Sequence, residues 1–529
     1  MKKPIVLAIA FLALSFSTQA QEPFVEWGAP INKSELPIRV HELFQLNNEN
    51  ELYALQTGKE YPALGVSYLE KFDKSFKSVY TKRLPIQEGK GEEFMALRYI
   101  APMKDKFAAF YVGFQKSTKE NFFVMRSISP ATGEVDKTTK TELERIPVGG
   151  RINSSRFKTI MSPDNSKMLL VTSFPLGKDV KYRVRLRVFD ANTMKQIWQK
   201  EVEMSFDSQK GEVHNFVVDN AGNAYLAGRY VGEDKAFKYL FWTYSAANSQ
   251  WKETALDLKG KKINFDEQKL TFNANGDVVF TGFLYEGFVV DAFNAVFYIR
   301  VNGKTQAIET VSQLGFGDVN AGEKENISFT KSKLRAVLSQ SNGDILVIGE
   351  NEYNSTVTKT TAPGTATYTD VYNDHSQEIR VLSINPNGAK NWLTKIGKDQ
   401  KVTTTDPTAR KNSFIYSLVN DRLYIVYNNF VLPQTPTQPL SWMWREIDGS
   451  NYSINNFARN TEVPTFMYIV ESNGRLIYDD RKFGYPLFNL FAKAPYPMTL
   501  NTYVFLPVNN GIIMMAETTG RFQFGKIRF

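Results

Sequence analysis

The feature that most constrains the fold is a recurring hairpin, in which two short apolar runs flank a polar turn. The three clearest copies share an Asn- and Gly-containing turn and a second run that closes on Gly, and they are 216–228, 270–282 and 336–349. Asn-Gly between apolar runs predicts a tight β-hairpin with positive φ at both central residues. The repeat therefore predicts antiparallel β-structure built from similar units.

Related turns recur along the whole chain. With the three clear copies, they lie near residues 48, 104, 164, 220, 275, 342, 420 and 509. Third strands of the units are predicted at 185–189, 239–244, 296–300, 379–384 and 466–470. Helical periodicity is missing, and β-branched and aromatic residues fill the apolar runs. Four strands per unit predict an all-β fold, a β-propeller of eight four-stranded blades, with seven blades as the alternative.

The two ends of the chain fit a closed ring. The last unit has three strands, ending in 521–529, while Phe24–Trp27 near the start is a strand without a unit of its own. We expect this N-terminal strand to complete the last blade, because closure removes an exposed sheet edge. Alternating aromatics in 522–529 also resemble the final strand of an outer-membrane barrel. That alternative needs many strands of about ten alternating residues, which the short runs do not supply.

The first twenty residues have the pattern of a signal peptide. Lys2 and Lys3 precede an apolar run from Ile5 to Phe16, and small residues follow up to Ala20. This run is shorter than the roughly 20 residues that cross a bilayer. We therefore predict residues 1–20 as a signal peptide and 21–529 as a single propeller domain, which is exported to the periplasm and does not span the membrane.

Composition narrows the chemistry. The chain has no cysteine, which excludes disulfides, thiolate metal sites and cysteine nucleophiles. Its three histidines, His41, His214 and His375, argue against a multi-histidine metal centre. The net charge of +9 is scattered, whereas a nucleic-acid-binding protein has a clustered basic stripe. We predict no catalytic residues, no metal, no cofactor and no nucleic-acid partner.

Three long segments interrupt the repeat. They follow second or fourth strands, which places them on one face of a propeller, and they are 312–332, 351–378 and 428–464. Long loops in compact folds are typically functional or disordered. We predict a binding face there, with the candidate contact residues Trp442, Trp444, Tyr368 and Tyr372. The alternatives are that the insertions bind nothing and that the tryptophans only pack against the ring.

One blade carries a recognisable motif. Val188–Thr193 followed by Trp198 resembles the repeat of quinoprotein-type propellers, which implies that Asp190, Thr193 and Trp198 dock adjacent blades. The other units lack the motif, and the vicinal cysteines of the enzymatic relatives are missing. The resemblance therefore implies blade architecture without a quinone cofactor.

Most of the mature chain resembles secreted, cysteine-free propellers of Bacteroidota-type bacteria. This resemblance is carried by Gln21 after the cleavage site, by the Asn-Gly-Asp turns and by the closing segment 524–529. It implies a non-enzymatic periplasmic subunit that binds a protein partner, an outer-membrane complex, as the plug subunit of the type 9 secretion translocon does. The alternative function is glycan binding or glycan cleavage, which rests on the abundant aromatic residues.

Overall fold

The computed structural model describes most of the chain outside its first 23 residues. The described residues are 24–32, 38–46, 51–58, 67–89, 92–148, 156–177, 180–287, 293–319, 332–360, 368–398, 400–404, 413–428, 465–477, 485–488, 499–518 and 521–529. Within these ranges the structure is almost entirely β-strand, with one short helix, α1 (Phe316–Val319).

The described chain starts with two strands that belong to the last blade, β1 (Phe24–Trp27) and β2 (Ile31–Asn32). Blade 1 consists of β3 (Ile38–Phe44), β4 (Leu52–Gly58), β5 (Ser67–Phe72) and β6 (Ser78–Leu84). Blade 2 consists of β7 (Gln87–Glu88), β8 (Glu93–Pro102), β9 (Phe107–Gln115), β10 (Glu120–Ile128) and β11 (Thr141–Pro147). Blade 3 consists of β12 (Arg156–Met161), β13 (Lys167–Ser173), β14 (Lys181–Asp190) and β15 (Gln196–Asp207).

The middle of the chain adds three further blades in the same order. Blade 4 consists of β16 (Gly211–Val218), β17 (Ala224–Val231), β18 (Phe237–Ser245) and β19 (Gln250–Leu256). Blade 5 consists of β20 (Lys262–Phe272), β21 (Val278–Tyr285), β22 (Phe293–Val301) and β23 (Ile308–Gly315). Blade 6 consists of β24 (Ser332–Ser339), β25 (Ile345–Thr360), β26 (Tyr368–Ile384), β27 (Lys390–Ile396) and β28 (Gln400–Thr404).

The last two blades complete the ring. Blade 7 consists of β29 (Ile415–Val419), β30 (Arg422–Asn428), β31 (Thr465–Val470), β32 (Leu476–Ile477) and β33 (Tyr485–Phe488). Blade 8 consists of β34 (Thr499–Val508), β35 (Gly511–Thr518) and β36 (Arg521–Arg528), together with β1 and β2. The fold is therefore an eight-bladed β-propeller, as predicted, and the seven-bladed alternative is wrong.

The N-terminal strand closes the ring. β1 runs antiparallel to β36 along its whole length, from Phe24 opposite Arg528 to Trp27 opposite Gly525. It thereby supplies the outermost strand of blade 8, whose other three main strands come from the C-terminus. The predicted closing strand is confirmed, and the edge of β36 is covered.

The hydrophobic core lies between the blades. Each of eight clusters of buried side chains combines residues from two neighbouring blades, including blades 8 and 1. Between blades 1 and 2, for example, the Phe107 ring lies 4.8 Å from the Tyr53 ring and 5.7 Å from the Phe44 ring. Burying one such side chain contributes about 1.5–3 kcal/mol. Since each blade packs on both of its neighbours, the core follows the ring.

The repeated turns are hairpins of a different type from the predicted one. In the turn of blade 5, Gly276 N donates to Asn273 O and Asn273 N donates to Asp277 O. Only Gly276 has a positive φ, of 81°. This is a type I turn followed by a left-handed glycine, the usual three-residue hairpin loop. The expectation of positive φ at both central residues is wrong for this turn, because Asn275 keeps an ordinary backbone conformation, whereas Asn420 and Asp421 in the turn of blade 7 both have positive φ.

Turns of neighbouring blades are hydrogen-bonded to one another. Trp198 Nε1 donates to Gly222 O of the next blade at 2.9 Å, and Trp392 Nε1 donates to Ser472 O at the same distance. Asp190 accepts hydrogen bonds from the backbone and hydroxyl of Thr193, at 3.0 and 2.9 Å. These contacts match the docking that the quinoprotein-type motif implies, and they join the turns of successive blades on one face of the ring.

The long segments differ in structure from simple loops. Much of 351–378 belongs to β25 and β26, which continue beyond the blade as a two-stranded hairpin. The segment predicted to start at residue 312 begins later, because β23 continues to Gly315 and α1 follows. Residue 428 ends β30, and residues 429–464 lie outside the described part of the chain.

Candidate binding face

The two faces of the ring carry different structures. Because strands alternate in direction, connections after first and third strands share one face, and connections after second and fourth strands share the other. The first face carries the short hydrogen-bonded turns. The second face, called here the insertion-bearing face, carries the extended hairpin of blade 6 and the segment after β23.

Among the described residues, the most prominent feature of the insertion-bearing face is a projection from blade 6. Nine residue pairs, from Glu352–Ser376 to Thr360–Tyr368, extend β25 and β26 beyond the blade. At about 3.4 Å per residue, the extension is about 30 Å long. β28 pairs with β26 from Tyr372 to Ser376 and adds a third strand. We call residues 352–360, 368–376 and 400–404 the arm.

The first strand of the arm exposes uncharged side chains on both of its surfaces. Tyr353, Ser355 and Val357 lie on one surface, where Tyr353 and Val357 are 37% and 45% exposed, and Thr356 and Thr358 are exposed on the other. Across the strands, the Tyr353 ring stacks on the His375 ring, with centroids 4.2 Å apart and an interplanar angle of 11°. Cross-strand aromatic pairs stabilise antiparallel strands. The arm thus presents hydroxyl, β-branched and aromatic groups to solvent.

The base of the arm contains a buried ion pair. Glu350 and Lys398 have side chains with no exposed surface, and Lys398 Nζ contacts Glu350 Oε1. Arg335 Nε donates to Glu350 Oε2 at 2.5 Å, and Ser413 Oγ donates to the same oxygen at 2.7 Å. Lys398 Nζ also donates to Gln400 Oε1 at 2.8 Å. Pairing these groups offsets the cost of removing two charges from water.

The protonation states of this pair follow from its partners. Burial alone would raise the pKa of Glu350, but Lys398 and Arg335 outweigh burial, so the pKa lies below its ordinary value. Burial lowers the pKa of Lys398, and the charge of Glu350 opposes that effect without cancelling it. A low pKa on Glu350 favours its carboxylate, the form that accepts hydrogen bonds from Arg335 and Ser413.

From the ion pair, a chain of hydrogen bonds crosses into the next two blades. Gln400 Oε1 accepts from Ser413 N at 2.8 Å, and Gln400 Nε2 donates to Asn428 O. Asn428 Oδ1 accepts from Thr465 Oγ1, and Asn428 Nδ2 donates to Leu500 O of blade 8, both at 3.1 Å. Buried polar networks of this kind fix geometry when each member is satisfied. The base of the arm is therefore joined to three blades.

The first strands of the blades lie towards the centre of the ring, where those of blades 3 to 6 contact one another in sequence and that of blade 8 contacts those of blades 7 and 1. Several of these strands have a β-bulge three or four residues before their last residue, where the register of the ladder shifts by one residue. The bulged residues are His41, Arg98, His214 and Arg335 in blades 1, 2, 4 and 6. Bulges redirect side chains and are frequent beside functional sites.

His214 lies in a cluster of aromatic and charged groups. Its ring centroid is 4.1 Å from that of Phe265, and the Arg229 guanidinium carbon lies 4.5 Å from the centroid of the Phe265 ring. His214 Nε2 is 2.7 Å from Glu212 Oε1. Burial lowers the pKa of His214, and Arg229 and Lys158 act in the same direction against the opposing effect of Glu212. The imidazole is therefore mainly neutral at pH 7.

The predicted contact residues have different places in the structure. Tyr368 and Tyr372 lie in β26, within the arm, opposite Thr360 and Thr356 respectively. Trp442 and Trp444 lie outside the described residues, so their role stays a prediction.

Sequence reasoning missed the buried pair of Glu350 and Lys398 and the bulged histidines. Lys398 stands in the polar run Gly397–Gln400, which is typical of an exposed turn. The bulge of a first strand has no signature in the hydrophobic pattern. The one available signal is position, because His41 and His214 both fall a few residues before a predicted turn.

The described residues contain neither a metal-binding cluster nor a membrane-spanning helix. In that part of the chain, no three His, Asp or Glu side chains group closely enough to hold a metal ion. The same ranges contain no helix with the length and hydrophobicity needed to cross a membrane.

Comparison with known proteins gives no family. The sequence matches no protein-family model and no curated protein. Among solved structures, the propeller domain of the Trilobed protease from Pyrococcus furiosus is similar at 9% identity and a TM-score of 0.32, over 70% of this chain and all of that one.

Two other solved structures have comparable scores. An α-L-arabinanase from Penicillium chrysogenum has 13% identity and a TM-score of 0.33, over 62% of this chain and 93% of its own. The WD40 domain of SCAP from fission yeast has 7% identity and a TM-score of 0.33, over 96% of this chain and 98% of its own. No residue role is transferred from these proteins, and the fold assignment rests on strand pairing alone.

Proposed function

We propose that the chain is an exported, non-enzymatic propeller that binds a protein partner through its insertion-bearing face. The partner is an outer-membrane complex, which the chain binds from the periplasm. There the chain acts as an accessory subunit of a secretion system. The observation that carries the proposal is the arm, an exposed three-stranded projection whose base is joined to three blades.

The chemistry of the arm supports a protein partner. Tyr353 and Val357 are exposed side chains of the type that is buried at protein interfaces, and the hydroxyl groups around them can form hydrogen bonds across an interface. A projection anchored by a buried network loses little conformational freedom on binding, which lowers the entropic cost of association. On the opposite face, by contrast, described turns of neighbouring blades are already bonded to each other, as Trp198 is to Gly222 and Trp392 is to Ser472.

The test uses the full chain with an affinity tag, purified from crosslinked cell envelopes, with crosslinked peptides identified by mass spectrometry. We expect crosslinks between the arm and an outer-membrane protein, and Val357→Glu should reduce recovery of that protein at least tenfold. The matched control is Val311→Glu, since Val311 is 49% exposed on the outermost strand β23 of blade 5.

Three outcomes would contradict the proposal. The native chain could be recovered alone, the crosslinks could map to the opposite face, or Val311→Glu could reduce recovery as much as Val357→Glu does. The mass of the native protein tests the export step separately, because the mature chain is expected to begin at Gln21.

Glycan binding is the second candidate function. The observation that favours it is the exposed Tyr353 ring, which His375 holds in a stacked arrangement on the arm. Flat aromatic rings of this kind can pack against sugars. On this reading, a polysaccharide array should give a signal that Tyr353→Ala, Trp442→Ala or Trp444→Ala removes. A blank array with the folded wild-type chain would exclude it.

A further inference from the structure

The innermost strands carry a pattern that the arm does not explain. At corresponding positions about midway along these strands, blades 1 to 4 carry the basic residue types His41, Arg98, Lys158 and His214. Three of these residues are the bulged positions of their strands, while Lys158 pairs regularly with Val171. We call these four residues the basic arc. It follows the centre of the ring over half of its blades.

Contacts between neighbouring strands place three of the four positions, those of blades 2 to 4, side by side. Tyr99 OH and Thr159 Oγ1 are hydrogen-bonded across blades 2 and 3, and each residue directly follows a member of the arc. Lys158 Nζ lies 6.0 Å over the Phe216 ring of blade 4, and Lys158 contributes to the lowered pKa of His214. The arc is therefore continuous from blade 2 to blade 4.

The middle of the arc has uncompensated charge. Arg98 and Lys158 are exposed, and within the described residues neither side chain has an acidic partner. The two ends differ, because His41 Nε2 is hydrogen-bonded to Thr57 Oγ1 and Glu212 Oε1 lies 2.7 Å from His214 Nε2. Arg335 of blade 6 is also compensated, by Glu350 and Glu352. Two cations such as Arg98 and Lys158 beside the centre of the ring attract anions, and the low-dielectric walls around them strengthen this attraction.

We propose that the basic arc binds an acidic, extended polypeptide segment that belongs to the protein partner. This inference rests on the proposed function and adds the chemistry that the partner presents to the ring. Cations that are spread over several blades are a better match for an extended chain of carboxylates than for a single compact anion. The rings of Tyr99, Phe216 and Phe265 beside the arc give the apolar side chains of a peptide a surface to contact.

The experiment measures binding of a fluorescein-labelled twelve-residue polyglutamate peptide to the full mature chain, by anisotropy at 50 and 300 mM NaCl. We expect Arg98→Glu with Lys158→Glu to weaken binding at least tenfold. The control with the same change in charge is Lys195→Glu with Lys252→Glu, two exposed lysines outside the arc. This control should change the affinity less than twofold. Wild-type affinity should fall at the higher salt concentration, because screening weakens exposed charges.

A second double variant, Arg98→Gln with Lys158→Gln, guards against misfolding of the charge-reversed protein and should weaken binding at least threefold. Equal peptide binding by the wild type and both arc variants, or no binding at all, would overturn the proposal. A sulfated oligosaccharide of equal charge that binds through the arc when the peptide does not would overturn it too. The proposed function would survive either result if Val357→Glu still removed the partner.

Discussion

At the residue scale, the least expected feature is a lysine without exposed surface. Lys398 is stabilised in this position because Glu350 supplies the opposite charge and Gln400 Oε1 accepts a hydrogen bond from its ammonium group. A buried charge that keeps its partners is tolerated, whereas a charge left alone in the interior is strongly destabilising. The network therefore makes the base of the arm sensitive to single changes.

Substitution of Lys398 tests this network. Lys398→Met leaves Glu350 buried without its ammonium partner, and we expect a loss of roughly 3 kcal/mol in the free energy of unfolding. Glu350→Gln together with Lys398→Met removes both charges and should recover more than half of that loss. Thermal and urea unfolding provide the measurement, and Lys252→Met on the exposed surface of β19 is the control. Equal losses in the single and double variants would show that the ion pair is not coupled.

At the scale of elements, packing of β1 on β36 depends on one glycine. A Cβ at Gly525 would lie 2.6 Å from the Trp27 ring, well inside van der Waals contact. The indole therefore covers the backbone of β36 at the point where the N-terminal strand joins the last blade. A hydrophobic pattern predicts both strands, but it does not show that Trp27 needs a residue without a side chain opposite it.

Gly525→Val tests this contact. The added side chain would displace Trp27 and weaken the pairing of β1, so we expect a loss of about 1–3 kcal/mol. Hydrogen exchange should increase at residues 24–28 before it increases in the other blades. Gly317→Ala, where an added Cβ has open space, is the matched control and should have little effect. Unchanged protection of β1 in the valine variant would contradict the packing argument.

At the scale of the whole molecule, stability depends on packing around a closed ring. The chain has no cysteine, so no disulfide supports the fold, and every blade buries its apolar surface against two neighbours. The junction between β1 and β36 joins the two ends of the chain. Opening this junction would expose an edge strand and would loosen blade 8 from the ring.

A cross-strand disulfide tests the importance of this junction. Glu26 and Lys526 lie directly opposite each other, so Glu26→Cys with Lys526→Cys places two thiols where they can form a disulfide with little adjustment. No other cysteine competes for the pairing. We expect a gain of about 2–4 kcal/mol under oxidising conditions, seen as a higher Tm that dithiothreitol reverses. A disulfide that forms without raising Tm would show that unfolding starts at another junction.

Local patterns accounted for much of this fold. Asn-Gly turns, alternating apolar runs and the strand Phe24–Trp27 predicted eight blades and the closing strand, because these features depend on neighbouring residues and on pairing of strands. The turn type was wrong in detail, since a glycine alone can supply the positive φ that the hairpin needs.

What the sequence determined by itself is the blade, its repetition and the order of strands, because the spacing of turns and apolar residues specifies each sheet. Only the tertiary structure decided which polar groups meet. The partners of Lys398 come from residues far apart in the chain, and the basic arc joins positions from four blades. The arm, too, was recognised as paired strands only in the tertiary structure, because pairing between β26 and β28 depends on geometry and not on composition.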